Sequence, residues 1–126
     1  LDEFNNFMEE EIYQMMVATT EDQDELILEN TTTLKVARWW NRACDIIPCN
    51  GGKDIGIQKI LDYFNFNKEE AMAFGDGGND ISMLKYVGTG VAMGNAKDNV
   101  KAIADYITDS VQEDGIVSAL KHFEII

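Results

Sequence analysis

The second half of the chain alternates between segments with helical spacing and short apolar segments, and this alternation constrains the fold most. Apolar residues recur at i, i+3, i+4 and i+7 in 53–66 and again near the C-terminus, which is the spacing of amphipathic helices. Short apolar runs at 70–74, 89–93 and 105–108 are typical of buried strands. Strands that alternate with helices predict a parallel sheet covered on both faces, the doubly wound α/β class.

The part of the chain before Pro48 has a different pattern. Three segments rich in apolar residues predict strands: 11–19, 34–40 and 44–48. The acidic segment 21–30 between the first two predicts a short helix. Pro48 is the only proline, and the glycines that follow it mark a boundary. We therefore expect two parts, residues 1–47 and residues 48–126.

The charge of the chain narrows the classes of partner. The 126 residues include 23 acidic and 10 basic ones, for a net charge of −13. Such a surface repels nucleic-acid backbones and anionic lipid, so we expect neither nucleic acid nor membrane as a partner, whereas divalent cations are attracted. Cys44 and Cys49 are the only cysteines, and without a secretory signal we expect reduced thiols and a cytoplasmic location.

The stretch "GDGGND", residues 75–80, is the strongest candidate for a site. It follows a predicted strand, and ligands of doubly wound sheets bind at the carboxyl ends of strands. The glycines let a ligand approach the backbone, and Asp76 and Asp80 can converge across the tight turn on one hard cation, typically Mg²⁺. On the spacing alone, a glycine-rich turn with exposed acidic residues stays open as the alternative.

The residues around this stretch carry a family resemblance. "AMAFGDGGNDISMLKYVGTGVAMGNA", followed by "KAIADYITDSVQEDGIVSAL", resembles the C-terminal half of a haloacid dehalogenase-like (HAD) hydrolase, in the sugar-phosphatase-like branch with a large α/β cap. The resemblance implies that residues 48–126 are the C-terminal part of a Rossmann-like doubly wound core. It implies that residues 1–47 are the end of the cap. It also implies Mg²⁺-dependent hydrolysis of a small phosphorylated metabolite through an aspartyl-phosphate.

The resemblance further implies roles for individual residues. Asp76 would bind Mg²⁺ directly, and Asp80 would support the metal directly or through water. Asn79 would orient the loop and contact the phosphate side of the site. Asn95, in the "MGNA" turn, would lie at the edge of the phosphate site.

Lys53, at the start of a predicted helix, matches the family lysine that neutralises the phosphoryl group and the nucleophile. Position alone does not decide this match, because a lysine at a helix start is usually only solvated. Some family members carry the lysine immediately before the glycine, where this chain has Ile55. Lys59, within the predicted helix, is the other candidate.

The family nucleophile and its acid/base partner lie in a D-x-D-G-T motif near the N-terminus of family members. Asp22 and Asp24 form a D-x-D, but Glu25 and Leu26 follow it, so we interpret this segment as an acidic helix surface. We therefore expect a C-terminal fragment that is inactive by itself and that self-associates through an exposed strand edge beside "GDGG". A non-catalytic α/β module that binds a divalent ion or a protein partner is the alternative.

Overall fold

The structure, a computed structural model, describes residues 11–126. The chain divides into two compact units, a first unit that ends at Asn50 and a second unit from Gly51 to Ile126. The division predicted from the sequence falls close to this boundary, after residue 47. The identification of the two parts with a cap and a core stays a prediction.

The first unit is built on a three-stranded antiparallel sheet in which β3 lies between β1 and β2. Its strands are β1 (Met15–Val17), β2 (Leu34–Trp40) and β3 (Ala43–Pro48). A 3₁₀ turn (Glu21–Gln23) leads into the short helix α1 (Asp24–Leu28). The predicted elements are present, but β1 is much shorter than the predicted segment 11–19.

Packing in the first unit centres on Arg38 and Cys44. Arg38 forms an ion pair with Asp24 and donates a hydrogen bond to the Thr19 carbonyl oxygen at 2.8 Å, so β2 holds α1 and the segment that follows β1. Cys44 is fully buried, and burial raises the pKa of its thiol. Cys49 is exposed, and neither cysteine is in a disulfide.

The second unit contains a parallel sheet in the order β4-β5-β6. The strands are β4 (Met72–Gly75), β5 (Thr89–Ala92) and β6 (Tyr106–Ile107). The helices are α2 (Lys53–Phe64), α3 (Ile81–Tyr86), α4 (Asp98–Lys101) and α5 (Gly115–His122). Three 3₁₀ turns accompany them: Lys68–Glu70, Gly78–Asp80 and Val111–Glu113. The predicted alternation and the parallel α/β sheet are confirmed.

The core of the second unit lies where α3 and α4 cover β4 and β5. Leu84 and Val100 are fully buried in it, which contributes roughly 1.5–3 kcal/mol for each side chain. Strand β5 and helix α3 approach so closely at Gly90 that a Cβ there would lie 2.3 Å from the Leu84 carbonyl oxygen. Only glycine fits this contact between two backbones.

The helices predicted at 53–66 and near the C-terminus are present, but two details depart from the ideal pattern. The apolar stripe of α2 is only partly covered, because Ile57 and Leu61 are half-buried whereas Ile60 and Phe64 are 60% and 61% exposed. The sequence also favours Asp114 as the capping residue of α5. Asp114 does precede α5, but its backbone is left-handed (φ 55°), and its side chain makes no capping hydrogen bond because capping requires an extended backbone.

Within residues 11–126, no helix has the length and apolar character needed to cross a membrane.

Candidate active site

Two loops of the second unit meet at the carboxyl end of the parallel sheet. Gly75 and Ala92, the last residues of β4 and β5, are paired in register, and the Met93 amide donates to the Gly75 carbonyl oxygen at 3.0 Å. The loop after β4 begins with Asp76, and the loop after β5 contains Asn95. Parallel pairing therefore brings together the two stretches that the sequence singles out, "GDGGND" and "MGNA".

Asp80 is the centre of the loop after β4. It is only 5% exposed, and both of its carboxylate oxygens are occupied. Oδ2 accepts the backbone amides of Asp76 and Gly77, each at 3.0 Å, and Oδ1 accepts the ammonium group of Lys53. A buried carboxylate with three donors holds the turn in one conformation.

The charge of Asp80 is stabilised despite its burial. Burial by itself would raise the pKa of the Asp80 carboxyl group. The hydrogen bond from Lys53 and those from the Gly77 and Asp76 amides outweigh this effect and lower the pKa below its ordinary value. Asp80 is therefore an ionised organiser of the loop, and neither of its oxygens is unpaired.

Gly75 and Gly77 pack closely against side chains of their own loop. A Cβ at Gly75 would lie 2.6 Å from the Asp80 Cβ atom. A Cβ at Gly77 would lie 2.6 Å from the Asn79 Oδ1 atom. Any larger residue at either position would displace the side chains that the loop presents.

Lys53 reaches this loop from the first turn of α2. A lysine at a helix N-terminus is unfavourable for the helix dipole, so the helix itself does not explain it. The contact with Asp80, 27 residues later, does. The N-terminal end of α2 is fixed by two features. Gly52, which precedes the helix, has a φ of 134° that suits glycine, and Ser82 Oγ donates a hydrogen bond to Asp54 Oδ1 at 3.1 Å. In the described part of the chain, Lys59 forms no ion pair.

Asp76 and Asn95 form the exposed side of the site. The Asn95 Nδ2 atom donates to Asp76 Oδ2 at 2.9 Å. The Asn95 Oδ1 atom accepts the Val111 amide at 3.1 Å. Among the hydrogen bonds of residues 11–126, none involves Asp76 Oδ1, so one carboxylate oxygen is left for a ligand.

The free carboxylate oxygen of Asp76 is a ligand of the kind that Mg²⁺ prefers. Mg²⁺ prefers oxygen ligands and is commonly held by one or two carboxylates together with water and substrate phosphate. Asp76 supplies such an oxygen at the carboxyl end of a strand. Residues 11–126 contain no group of three or more His, Cys, Asp or Glu side chains able to hold a metal, so these residues fit part of a magnesium site.

Asp22 and Asp24, the D-x-D of the first unit, have a structural environment. Asp22 is exposed in the 3₁₀ turn before α1. Asp24 forms an ion pair with Arg38, and Arg38 Nε also donates a hydrogen bond to Asp24 Oδ2 at 3.3 Å. The ion pair accounts for Asp24 without a catalytic role.

The geometry defines an α/β protein with an acidic, glycine-rich loop and a lysine at the carboxyl end of a parallel strand. Comparison with known proteins agrees: the model of the haloacid dehalogenase-like hydrolase family matches residues 1–120. The chain belongs to this family.

Three relatives illustrate the similarity. YkrA of Bacillus subtilis (strain 168) is 40% identical over 116 residues, which are 92% of this chain and 45% of YkrA. The 5-amino-6-(5-phospho-D-ribitylamino)uracil phosphatase YitU of the same organism is 44% identical over 89 residues, 68% of this chain and 33% of YitU. The structure of the HAD subclass IIB sugar phosphatase BT4131 superposes with a TM-score of 0.89 at 44% identity, covering 98% of this chain and 47% of that one. The chain thus spans less than half the length of these relatives.

Of the five residues that the sequence predicts for the site, four are linked by hydrogen bonds: Lys53 to Asp80, Asp76 to Asp80 and Asn95 to Asp76. Asn79 lies in the same turn as Asp80, and the role of each residue stays a prediction. The structure adds one contact that the sequence reasoning missed, the amide of Val111 at the start of a 3₁₀ turn. A signal for this turn is present in the sequence. Ser110 and Glu113 have the S-x-x-E spacing of a capping box, and the Ser110 hydroxyl donates to Glu113 Oε2 at 2.6 Å.

Proposed function

We propose that these residues are part of the active site of a Mg²⁺-dependent phosphohydrolase that acts on a small phosphorylated metabolite. The observation that carries the proposal is the ion pair between Lys53 and the buried Asp80, beside the exposed carboxylate of Asp76. The similarity to the sugar phosphatase BT4131 favours a sugar phosphate as the class of substrate.

Each residue of the site then has a physical task. Asp76 would hold Mg²⁺, which when bound neutralises charge on the phosphoryl oxygens. Asp80 keeps the loop in shape and orients Lys53, and it would also support the metal, directly or through water, as the resemblance implies. The Lys53 side chain is 50% exposed, so its ammonium group can contact the phosphoryl group of a substrate. Asn79 would contact the phosphate from the same loop.

The proposed reaction also needs a nucleophile. An aspartate attacks phosphorus, and the P–O ester bond breaks as the acid/base aspartate gives its proton to the ester oxygen, which leaves as an alcohol. The same aspartate then takes a proton from the water that attacks the aspartyl-phosphate and releases inorganic phosphate. Asp24 is engaged with Arg38, and the D-x-D that contains it lacks the Gly-Thr that follows in the family motif. We therefore propose that the nucleophile is supplied from outside these 126 residues and that the chain alone is inactive.

The compartment proposed for this activity is the cytoplasm. Cys44 and Cys49 are both unpaired, which is typical of proteins in a reducing environment.

The metal assignment is tested in the whole protein with Asp76→Ala. A metal ion contributes several kcal/mol to stabilisation of the transition state, so Mg²⁺-dependent hydrolysis of an aryl phosphate should fall by on the order of 10³-fold. Asp62→Ala is the matched control, because Asp62 is an exposed carboxylate of α2 and its loss should leave the rate unchanged. Near-wild-type activity of Asp76→Ala would refute the assignment.

The inactivity of the chain alone is tested with the same substrate and Mg²⁺. The 126-residue chain should release no phosphate above the blank. Robust turnover that persists in both Asp22→Asn and Asp24→Asn would contradict the proposal that the nucleophile lies elsewhere.

A further inference from the structure

Asn95 connects the metal-binding loop to a turn on the other side of the site. Its amide oxygen accepts the Val111 N–H at 3.1 Å, and its amide nitrogen donates to Asp76 Oδ2 at 2.9 Å. An N–H can be satisfied only by the carbonyl oxygen of the asparagine, so the contact with Val111 sets the orientation of the amide group. The NH₂ group is then directed to Asp76, as the second hydrogen bond requires.

The backbone around Val111, which donates to the Asn95 side chain, is held by several contacts. The backbones of 94 and 110 are in contact, because a Cβ at Gly94 would lie 2.6 Å from the Ser110 nitrogen. The Gly94 amide donates to the Asp109 carbonyl oxygen at 3.0 Å, and the Ser110 carbonyl oxygen accepts the amides of Glu113 and Gly115, each at 3.0 Å. The residue before Asn95 is therefore held against the backbone at 109–110, and the Val111 amide that the Asn95 side chain accepts belongs to the same ordered turn.

We propose that Asn95 is a positioning residue that holds the Asp76 carboxylate in one rotamer, so that Oδ1 is presented to the metal ion. This inference rests on the proposed function for the metal, but the geometry of Asp76 is a separate question that can be tested without metal. It gives Asn95 a task beyond the place at the edge of the phosphate site that the resemblance implies. Carboxylates that bind metals are themselves hydrogen-bonded, and loss of such a partner typically lowers metal affinity by about 10–100-fold.

The rotamer of Asp76 is the first measurement, made on the isotopically labelled 126-residue chain without metal. Three-bond couplings to the Asp76 Cγ atom report its χ1 angle. They should indicate a single rotamer in the wild type and an average over rotamers in Asn95→Ala. Asn95→Asp is a second variant that can still accept the Val111 amide but cannot donate to Asp76, and it should show the same averaging.

Asn99→Ala is the matched control for the rotamer measurement. Asn99 is also exposed, and its side chain has no hydrogen bond among residues 11–126, so its loss should leave the Asp76 couplings unchanged. Couplings in Asn95→Ala and Asn95→Asp equal to those of the wild type would overturn the positioning role. That result would leave the proposed magnesium site intact.

Binding of Mn²⁺, which broadens nearby resonances, is the second measurement. Titrated Mn²⁺ should broaden the amide resonances of Gly75–Asp80. In Asn95→Ala the Mn²⁺ concentration required should rise about 10-fold. This is the lower end of the range of affinity losses given above, because Asn95 is exposed. Asp76→Ala should abolish the local broadening. Equal titrations of wild type and Asn95→Ala would overturn the effect on metal. Broadening that persists in Asp76→Ala, or none in the wild type, would instead overturn the metal site, with the rotamer result unaffected.

Discussion

Replacing Lys53 with methionine tests the contact on which the site depends. Among the described residues, Asp80 has three donors, and Lys53 is the one that carries a charge. A hydrogen bond to a charged group contributes about 1.5–3 kcal/mol, but water can partly replace an ammonium group that is 50% exposed. Removal of a lysine from the first turn of α2 also removes an unfavourable interaction with the helix dipole, which stabilises the fold by about a few tenths of a kcal/mol. We expect a net loss of about 1 kcal/mol in the free energy of unfolding at neutral pH.

Lys59→Met is the matched control for this substitution. It lies in the same helix and changes the net charge by the same amount. It also replaces lysine with methionine, as Lys53→Met does, and these two residue types have similar helix propensities. Because Lys59 forms no ion pair within residues 11–126, its replacement should cost at most a few tenths of a kcal/mol. The difference between the two variants isolates the contact with Asp80.

The loss should depend on pH in a defined direction. The pKa of Asp80 is lowered in the folded state, so its interactions stabilise the fold fully above the unfolded pKa, about 3.9, and this stabilisation disappears as the pH falls through the folded pKa. The effect of Lys53→Met should therefore be largest at neutral pH and shrink at about pH 3.

Urea unfolding in EDTA measures these differences. Far-UV circular dichroism is the suitable probe, since Trp39 and Trp40 both lie in the first unit and do not report on the second. Equal losses in Lys53→Met and Lys59→Met would refute the role assigned to the Lys53–Asp80 contact. A loss that is the same at both pH values would show that the charge of Asp80 is not its cause.

Two further predictions concern packing and association. Gly90→Ala should destabilise the second unit by about 1–3 kcal/mol, because the added Cβ would collide with the Leu84 carbonyl oxygen. Gly56→Ala should instead stabilise α2 by about 0.5–1 kcal/mol, because no atom lies within 4 Å of the added Cβ and alanine favours the helix more than glycine does. Thermal unfolding checks both, and a Gly90→Ala variant as stable as the wild type would contradict the close contact. In the described residues β4 pairs only with β5, which leaves its other edge open for pairing with a second chain. Light scattering should therefore show a mass above that of the monomer, and this mass should rise with concentration. A well-folded monomer would count against association through this edge.

The sequence alone determined the elements of the second unit and the place of the candidate site. Helical and strand periodicities come from hydrogen bonds and side-chain directions within a few residues, so the predicted α/β alternation agrees with the observed elements. The position of "GDGGND" directly after a strand was enough to place it at the carboxyl end of β4. Bounds were less well determined: the strand predicted from 11 to 19 covers only Met15–Val17, because the ends of an element depend on packing.

The tertiary structure decided which side chains meet. The resemblance favours Lys53 over Lys59, but only the structure shows which lysine has a charged partner: the ammonium group of Lys53 contacts Asp80, which α3 and β4 bring into reach. The same is true of Asn95, which contacts Asp76 because parallel pairing aligns the ends of β4 and β5. Burial was also decided at this level, as the exposure of Ile60 and Phe64 on a helix with an apolar stripe shows. A local pattern specifies the direction of a side chain, but its partner depends on residues that are distant in the chain and are brought near only by folding.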